Sequence, residues 1–135
     1  MDISLIIPVL NERENIAQLY AELVGVLADE GLAEYEIIFV DDGSTDGTGE
    51  VLEQLHAADL RVRVIQFRRN FGKSAALAAA FKRVRGEIVF TLDGDLQDNP
   101  SEIPHFLARL EEGYDLVSGW KYPRLDPITK TFPSW

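Results

Sequence analysis

The chain has 135 residues, 46% hydrophobic and 27% charged, which is ordinary usage for a single globular domain with one core and too apolar for a disordered chain. Thirteen Lys and Arg against 23 Asp and Glu leave a formal charge of -10, which disfavours unspecific attraction to phosphate backbones or anionic lipid and speaks against a nucleic-acid binder. There is no cysteine, so disulfides, zinc–thiolate sites and thiol nucleophiles are excluded and a cytosolic setting is the default expectation.

The first apolar run, Ile3-Ser4-Leu5-Ile6-Ile7-Pro8, is halted by proline and does not alternate, which predicts a strand buried on both faces. Asn11 then offers an N-cap with Glu14 three residues on. Ile16, Leu19, Tyr20, Leu23, Val24 and Leu27 follow at helical spacing, which predicts an amphipathic helix. Tyr35-Glu36-Ile37-Ile38-Phe39-Val40 reads as a second buried strand, and a helix over 47–56 turns Val51, Leu52 and Leu55 inward. Val62-Arg63-Val64-Ile65-Gln66 is a third strand, followed by a helix over 73–83 that Gly86 closes as a left-handed C-cap. Residues 87–92 form a fourth strand. Asn99-Pro100-Ser101-Glu102 opens a helix carrying Ile103, Phe106, Leu107 and Leu110, and residues 115–118 form a fifth strand. Strands alternating with helices of these lengths imply right-handed crossovers and a mainly parallel α/β sheet covered on both faces.

No run approaches the roughly 18 apolar residues a membrane span needs, and Met1-Asp2-Ile3-Ser4 lacks the basic start and apolar stretch of a signal peptide. From Trp120 onward the periodicity fades. The chain stops on Thr131-Phe132-Pro133-Ser134-Trp135 with no closing element, which reads as a truncated domain.

In open α/β sheets ligands bind beyond the carboxyl ends of the strands. There the first strand runs into Asn11-Glu12, the second into Asp41-Asp42, and the fourth into Asp93-Gly94-Asp95 with Gln97 and Asp98. Such an acidic cluster repels itself unless a cation neutralises it. Carboxylate and amide oxygens without thiols favour Mg2+ or Mn2+, and an ion held by few carboxylates leaves substrate phosphates to complete its sphere, so a diphosphate is the implied substrate. Each piece alone reads as a turn or a helix cap, and the shared location makes them a site. His56 and His105 lie within helices without ligand spacing and read as surface residues, and Lys82, Arg83 and Arg85 as a solvated helix end. Gly72-Lys73-Ser74 lacks the earlier glycine of a P-loop, Gly47 and Gly49 lack the third glycine of a dinucleotide fingerprint, and Gly72-Lys73-Ser74-Ala75-Ala76 lacks the second glycine of a nucleophile elbow.

Four segments in this order, Ile7-Pro8-Val9-Leu10-Asn11-Glu12, Val40-Asp41-Asp42-Gly43-Ser44-Thr45-Asp46, Arg69-Asn70-Phe71-Gly72-Lys73 and Asp93-Gly94-Asp95-Leu96-Gln97-Asp98-Asn99-Pro100, carry a further signal. Together they resemble family 2 glycosyltransferases of the GT-A fold, and within these the polyprenyl-phosphate (dolichyl-phosphate) enzymes. The resemblance implies a Rossmann-like, mainly parallel sheet in which residues 1–135 form the nucleotide-sugar-binding part of the domain, without its acceptor half. It implies that Pro8, Leu10, Glu12, Phe39 and Asp41 line the nucleotide pocket, that Asp93 and Gly94 contact the nucleotide, and that Asp95 and Gln97 hold the metal. Lys121 stands in the place of a donor-phosphate residue that is often arginine, keeping the charge without the bidentate fork.

The implied chemistry is inverting transfer from a UDP- or GDP-sugar to a lipid-linked phosphate, with Mg2+ or Mn2+ as Lewis acid on the leaving diphosphate. A phosphate acceptor needs no strong base, whereas a hydroxyl acceptor would require one, for which Asp98 is the nearest carboxylate. The resemblance places the full-length protein in the cytoplasm or at the cytoplasmic face of a membrane, with membrane contact only through the missing C-terminal part. Two other readings are a catalytically silent nucleotide-sugar-binding module and a response-regulator-like Mg2+-binding signalling domain. The latter expects paired acids after the first strand, where this chain has Pro8-Val9-Leu10-Asn11.

Overall fold

A computed structural model describes residues 3–86, 88–92 and 104. Its elements follow the order β1 (Ile3–Val9), α1 (Arg13–Asp29), β2 (Tyr35–Asp41), α2 (Thr48–Ala58), β3 (Val62–Gln66), α3 (Lys73–Phe81) and β4 (Ile88–Thr91). The expected helix after Asn99 and the strand at 115–118 lie outside the described residues.

The four strands pair in parallel in the order β3-β2-β1-β4. β1 and β2 are buried at every position, as expected of central strands covered on both faces, whereas β3, at the edge, is mostly half-buried. The sequence alternation sorts the core into two layers. Leu5, Ile7, Val9, Ile37 and Phe39 meet Ile16, Leu19, Leu23 and Leu27 of α1 and Leu52 of α2. Ile6, Ile38, Val40 and Val89 meet Ala76, Leu77 and Ala80 of α3.

The chain winds outward from β1 to β3 and then returns to β1's other side for β4, so the order reverses between β1 and β4, the place at whose carboxyl edge open α/β sheets form their ligand crevice. Pro8 marks the spot. The β1–β4 ladder ends with the Leu92 N–H donating to the Ile6 carbonyl, and Pro8, next on that side of β1, has no N–H to extend it. The order also excludes the response-regulator reading, whose sheet places strand three, not four, beside strand one.

Two local expectations are corrected. Asn11 does not cap α1: Glu12 occupies the cap position, and Asn11 sits in the left-handed region at φ 54°, which asparagine tolerates. The amides of Glu12 and Arg13 instead find acceptors in Thr48, the first residue of α2, and in Asp46 just before it. Gly86 is not a left-handed C-cap either, because α3 ends at Phe81 with Lys82 following in helical conformation. Gly86 is required for space: a Cβ there would lie 2.6 Å from the Ile3 carbonyl carbon and the Ser4 nitrogen.

At the amino edge of the sheet, away from the crevice, Glu36 is buried and accepts three hydrogen bonds, from Ser4 Oγ at 2.6 Å, Arg63 Nη1 at 2.6 Å and the Arg85 N–H at 2.7 Å. This node ties β1, β2, β3 and the segment entering β4 together. Its partners lie 27 to 49 residues away along the chain, so no local pattern marks Glu36 as more than a strand residue.

Candidate functional site

The register sets Val9 beside Asp41, so the exits of β1 and β2 leave the sheet side by side. Their loops are joined by four hydrogen bonds. The Asn11 N–H donates to Ser44 Oγ at 2.8 Å and the Thr45 N–H to Asn11 Oδ1 at 2.8 Å. The Glu12 N–H donates to Thr48 Oγ1 at 3.1 Å and the Arg13 N–H to Asp46 Oδ2 at 3.4 Å. The start of α1 is thus capped by side chains more than thirty residues away, and the floor of the site is one connected scaffold. Asp46 also accepts from the Thr48 hydroxyl and N–H, and chiefly the hydroxyl holds its carboxyl below the usual carboxylate range.

Of the residues expected to line a nucleotide pocket, Leu10 is exposed, Glu12 is half-buried, and Pro8, Phe39 and Asp41 are buried. The structure brings Leu10, Glu12 and Asp41 to one edge of the sheet. Phe39 has no exposed surface and packs in the core two residues before Asp41, beneath the site. Glu12 Oε2 accepts from Asn15 Nδ2 at 2.7 Å. Asp41 accepts the Ser44 N–H on Oδ1 at 2.9 Å, while its Oδ2 faces the start of α2, 3.2 Å from where a Cβ on Gly49 would stand. A helix N-terminus favours a carboxylate nearby.

Asp42 departs from the expectation of a joint acidic cluster. Consecutive residues at a strand end point to opposite sides, and the Asp42 carboxylate turns from Asp41 toward the loop between β3 and α3. There it accepts the Phe71 N–H at 2.8 Å and the Gly72 N–H at 3.0 Å. Nothing in the sequence distinguished its role from Asp41's, because the partners lie 29 and 30 residues on.

The remaining expected site residues, Asp93, Gly94, Asp95, Gln97, Asp98 and Lys121, lie outside the described residues, as does His105. Among the described residues no three His, Asp or Glu are grouped to hold a metal, and no helix is long and apolar enough to cross a membrane. His56 is exposed, as expected, with Nδ1 2.6 Å from the Val62 carbonyl. It shares with Glu53, Arg63, Val64 and Gln66 a groove of about 390 Å3 between α2 and β3.

Residues 4–135 match the family described as "Glycosyl transferase family 2". An undecaprenyl-phosphate 4-deoxy-4-formamido-L-arabinose transferase of Shewanella sediminis is 38% identical over 98% of this chain and 40% of its own length. The protein of the same name from Pseudomonas fluorescens is 41% identical over 98% of this chain and 39% of its own. The chain therefore spans about two fifths of the length of these relatives. Among solved structures, Staphylococcus aureus TarS 1-349 in complex with UDP-GlcNAc superposes with a TM-score of 0.65 at 30% identity, covering 83% of this chain and 32% of that one. The Pyrobaculum calidifontis mannosyltransferase in complex with GDP-Man and Mn2+ gives 0.68 over 93% of this chain and 37% of its own, and at 22% identity it bears on the fold alone. The GT-A fold expected from the sequence is the observed one.

Proposed function

This chain belongs to glycosyl transferase family 2, and we propose that it forms the donor-binding part of an enzyme that moves a sugar from a nucleotide diphosphate-sugar to a polyprenyl phosphate. One observation carries this reading: the exits of β1 and β2, bearing Leu10, Glu12 and Asp41, meet at the carboxyl edge beside the point where the strand order reverses. The relatives named for undecaprenyl phosphate support the acceptor class, and the UDP-GlcNAc complex supports the donor class.

In the proposed reaction an oxygen of the acceptor phosphate attacks the anomeric carbon, the bond to the nucleotide diphosphate breaks, and the configuration inverts. The acceptor is already an anion near neutral pH, so no residue has to remove a proton. Asp41 holds the nucleoside end, with Leu10 and Glu12 beside it and Pro8 and Phe39 packed beneath. Asp93 and Gly94 contact the nucleotide, and Lys121 pairs with the donor phosphates. Were the acceptor a hydroxyl, Asp98 would take its proton. A donor set of carboxylate and amide oxygens in a chain without cysteine fits a hard divalent cation, which Asp95 and Gln97 would hold. When bound, Mg2+ or Mn2+ supplies positive charge to the leaving diphosphate.

Calorimetric titration of UDP, GDP and their sugar conjugates, with and without Mn2+, tests this. One nucleotide should bind in a metal-dependent way. Asp41→Ala should weaken that binding about tenfold, the loss of one hydrogen bond to a charged group, and Asp95→Ala should abolish the metal dependence. Failure of every nucleotide to bind the folded chain would refute the donor-site reading.

A further inference from the structure

We infer that Glu36 is a positioning residue that fixes, from the amino edge of the sheet, the register of β4 on β1 and so the level from which the chain continues into Asp93-Gly94-Asp95. Its consequence for metal binding rests on the donor-site reading given above. Among the described residues β4 has one neighbour, β1, and pairs with it over four positions, against seven between β1 and β2. The strand's own side chains leave its register open. Ile88, Phe90 and Leu92 face one core layer and Val89 the other, and a slip by two residues, about 6.6 Å along the strand, keeps each on its own side. Asp93 and Asp95 would move with the strand, by far more than a metal site tolerates.

What fixes the register is the backbone just before β4, where three groups are held, each by a side chain of a different strand. Ser4 Oγ of β1 accepts the Gly86 N–H at 2.8 Å, and Glu36 Oε2 of β2 accepts the Arg85 N–H at 2.7 Å. Arg63 Nη1 of β3 donates to the Arg83 carbonyl at 2.8 Å. Glu36 joins all three, because Oε2 also accepts from Ser4 Oγ and Oε1 from Arg63, each at 2.6 Å. Without it, Ser4 and Arg63 lose the partner that orients them toward this segment. Glu36 is 1% exposed, so water does not compete for these bonds. Gly86 supplies a steric stop beside the node, since a Cβ there would stand 2.6 Å from the Ile3 carbonyl carbon and the Ser4 nitrogen. A slip by two would press Val84 or Ile88 against that backbone, where neither fits. The stop acts only while the segment is held on β1, which is what the node does. Glu36 stands at the amino edge and β4 leaves the sheet at the carboxyl edge, so Glu36 acts through the strand and not by contact.

The test compares the chain with Glu36→Gln and Glu36→Ala, and with Leu23→Ala as a destabilised control in the other core layer. Register is read from the Leu92 amide, which donates to the Ile6 carbonyl at 2.9 Å, by its nuclear Overhauser contacts to β1 and by its hydrogen exchange relative to Ile38. A strand slipped by two would give those contacts to Phe90 or Gly94. Affinity for UDP and GDP is measured with and without Mn2+. In E36A the Leu92 amide should lose its contacts and exchange faster than Ile38 does, and E36Q, which keeps one acceptor oxygen, should do so to a lesser degree. Nucleotide affinity in Mn2+ should fall about tenfold while the metal-free affinity stays unchanged, a split that lost stability alone does not produce. L23A should speed Leu92 and Ile38 together and show no split. Should E36A unfold, E36Q carries the comparison. A Leu92 amide that stays on Ile6 in both Glu36 variants would overturn the inference, and so would a lost register with the Mn2+ effect intact, or an equal loss of affinity with and without the metal. If the unsubstituted chain binds no nucleotide, the donor-site reading falls, and the Leu92 contacts alone then decide whether Glu36 sets the register.

Discussion

Two glycines separate what the fold needs from what the site needs. At Gly43 an added methyl would strike the Arg69–Asn70 backbone in a left-handed conformation, and at Gly86 it would strike the backbone of Ile3 and Ser4. Neither neighbour is a flexible side-chain end, so each alanine should cost about 1–3 kcal/mol in urea unfolding. The two should differ in binding. Gly43→Ala pushes the 69–72 loop away from Asp42 and should weaken nucleotide affinity beyond what the stability loss explains. Gly86→Ala acts at the opposite edge and should leave metal-free nucleotide affinity intact in the folded population. Equal effects on affinity would mean that the site responds only to global stability.

Among the elements, β1, β2, β3 and the segment entering β4 converge on Glu36. Replacing it by alanine leaves the Ser4 hydroxyl proton and the Arg85 N–H without their acceptor and the Arg63 guanidinium with the Arg83 carbonyl in place of two acceptors. Arg63 remains partly solvated, with its side chain 26% exposed, so the expected loss is about 3 kcal/mol, below the upper range for a fully buried ion pair. A shift under 1 kcal/mol in the urea midpoint analysis would show the node to be dispensable. A second tie joins α1 to the turn after α2, where the Tyr20 hydroxyl donates to Asp59 Oδ2 at 2.7 Å. Burial, then this bond and the charge of Asp59, push the Tyr20 phenol up to about 12. The folded form holds the proton that the unfolded form releases near pH 10, so this stabilisation is complete below pH 10 and declines from there toward pH 12. Tyr20→Phe should cost about 1 kcal/mol at pH 7, and the gap between the two proteins should close as pH rises through 10. A gap that stays constant to pH 11.5 would contradict this. Burial works against the Asp59 carboxyl ionising, yet hydrogen bonds from Arg61 and Tyr20 outweigh it and keep that group below its ordinary range, which retains the acceptor at neutral pH.

For the molecule as a whole, the sequence was readable wherever a local rule governed. Apolar runs such as Ile3 to Pro8 and the helical spacing from Ile16 to Leu27 located β1 and α1, and the alternation of element types dictated a parallel sheet. The gathering of Glu12 and Asp41 at one edge followed from the same rule. What escaped depended on partners far along the chain. Asp42 looked like Asp41 until Phe71 and Gly72 closed on it, Asn11 looked like a cap until Asp46 and Thr48 took that task, and Glu36 looked like an ordinary strand residue. In each case the deciding contact spans at least 27 residues, beyond the reach of any periodic pattern. Strand order has one more consequence, for biosynthesis. β1 leaves the ribosome before β2 and β4, yet it lies between them, paired with β2 over seven positions and with β4 over four. Until β4 is translated, the growing sheet presents one side of β1 unpaired, the kind of edge on which nascent chains stick to one another. Pro8 removes a donor from that side, so the residue that ends the finished ladder also blunts the unfinished one.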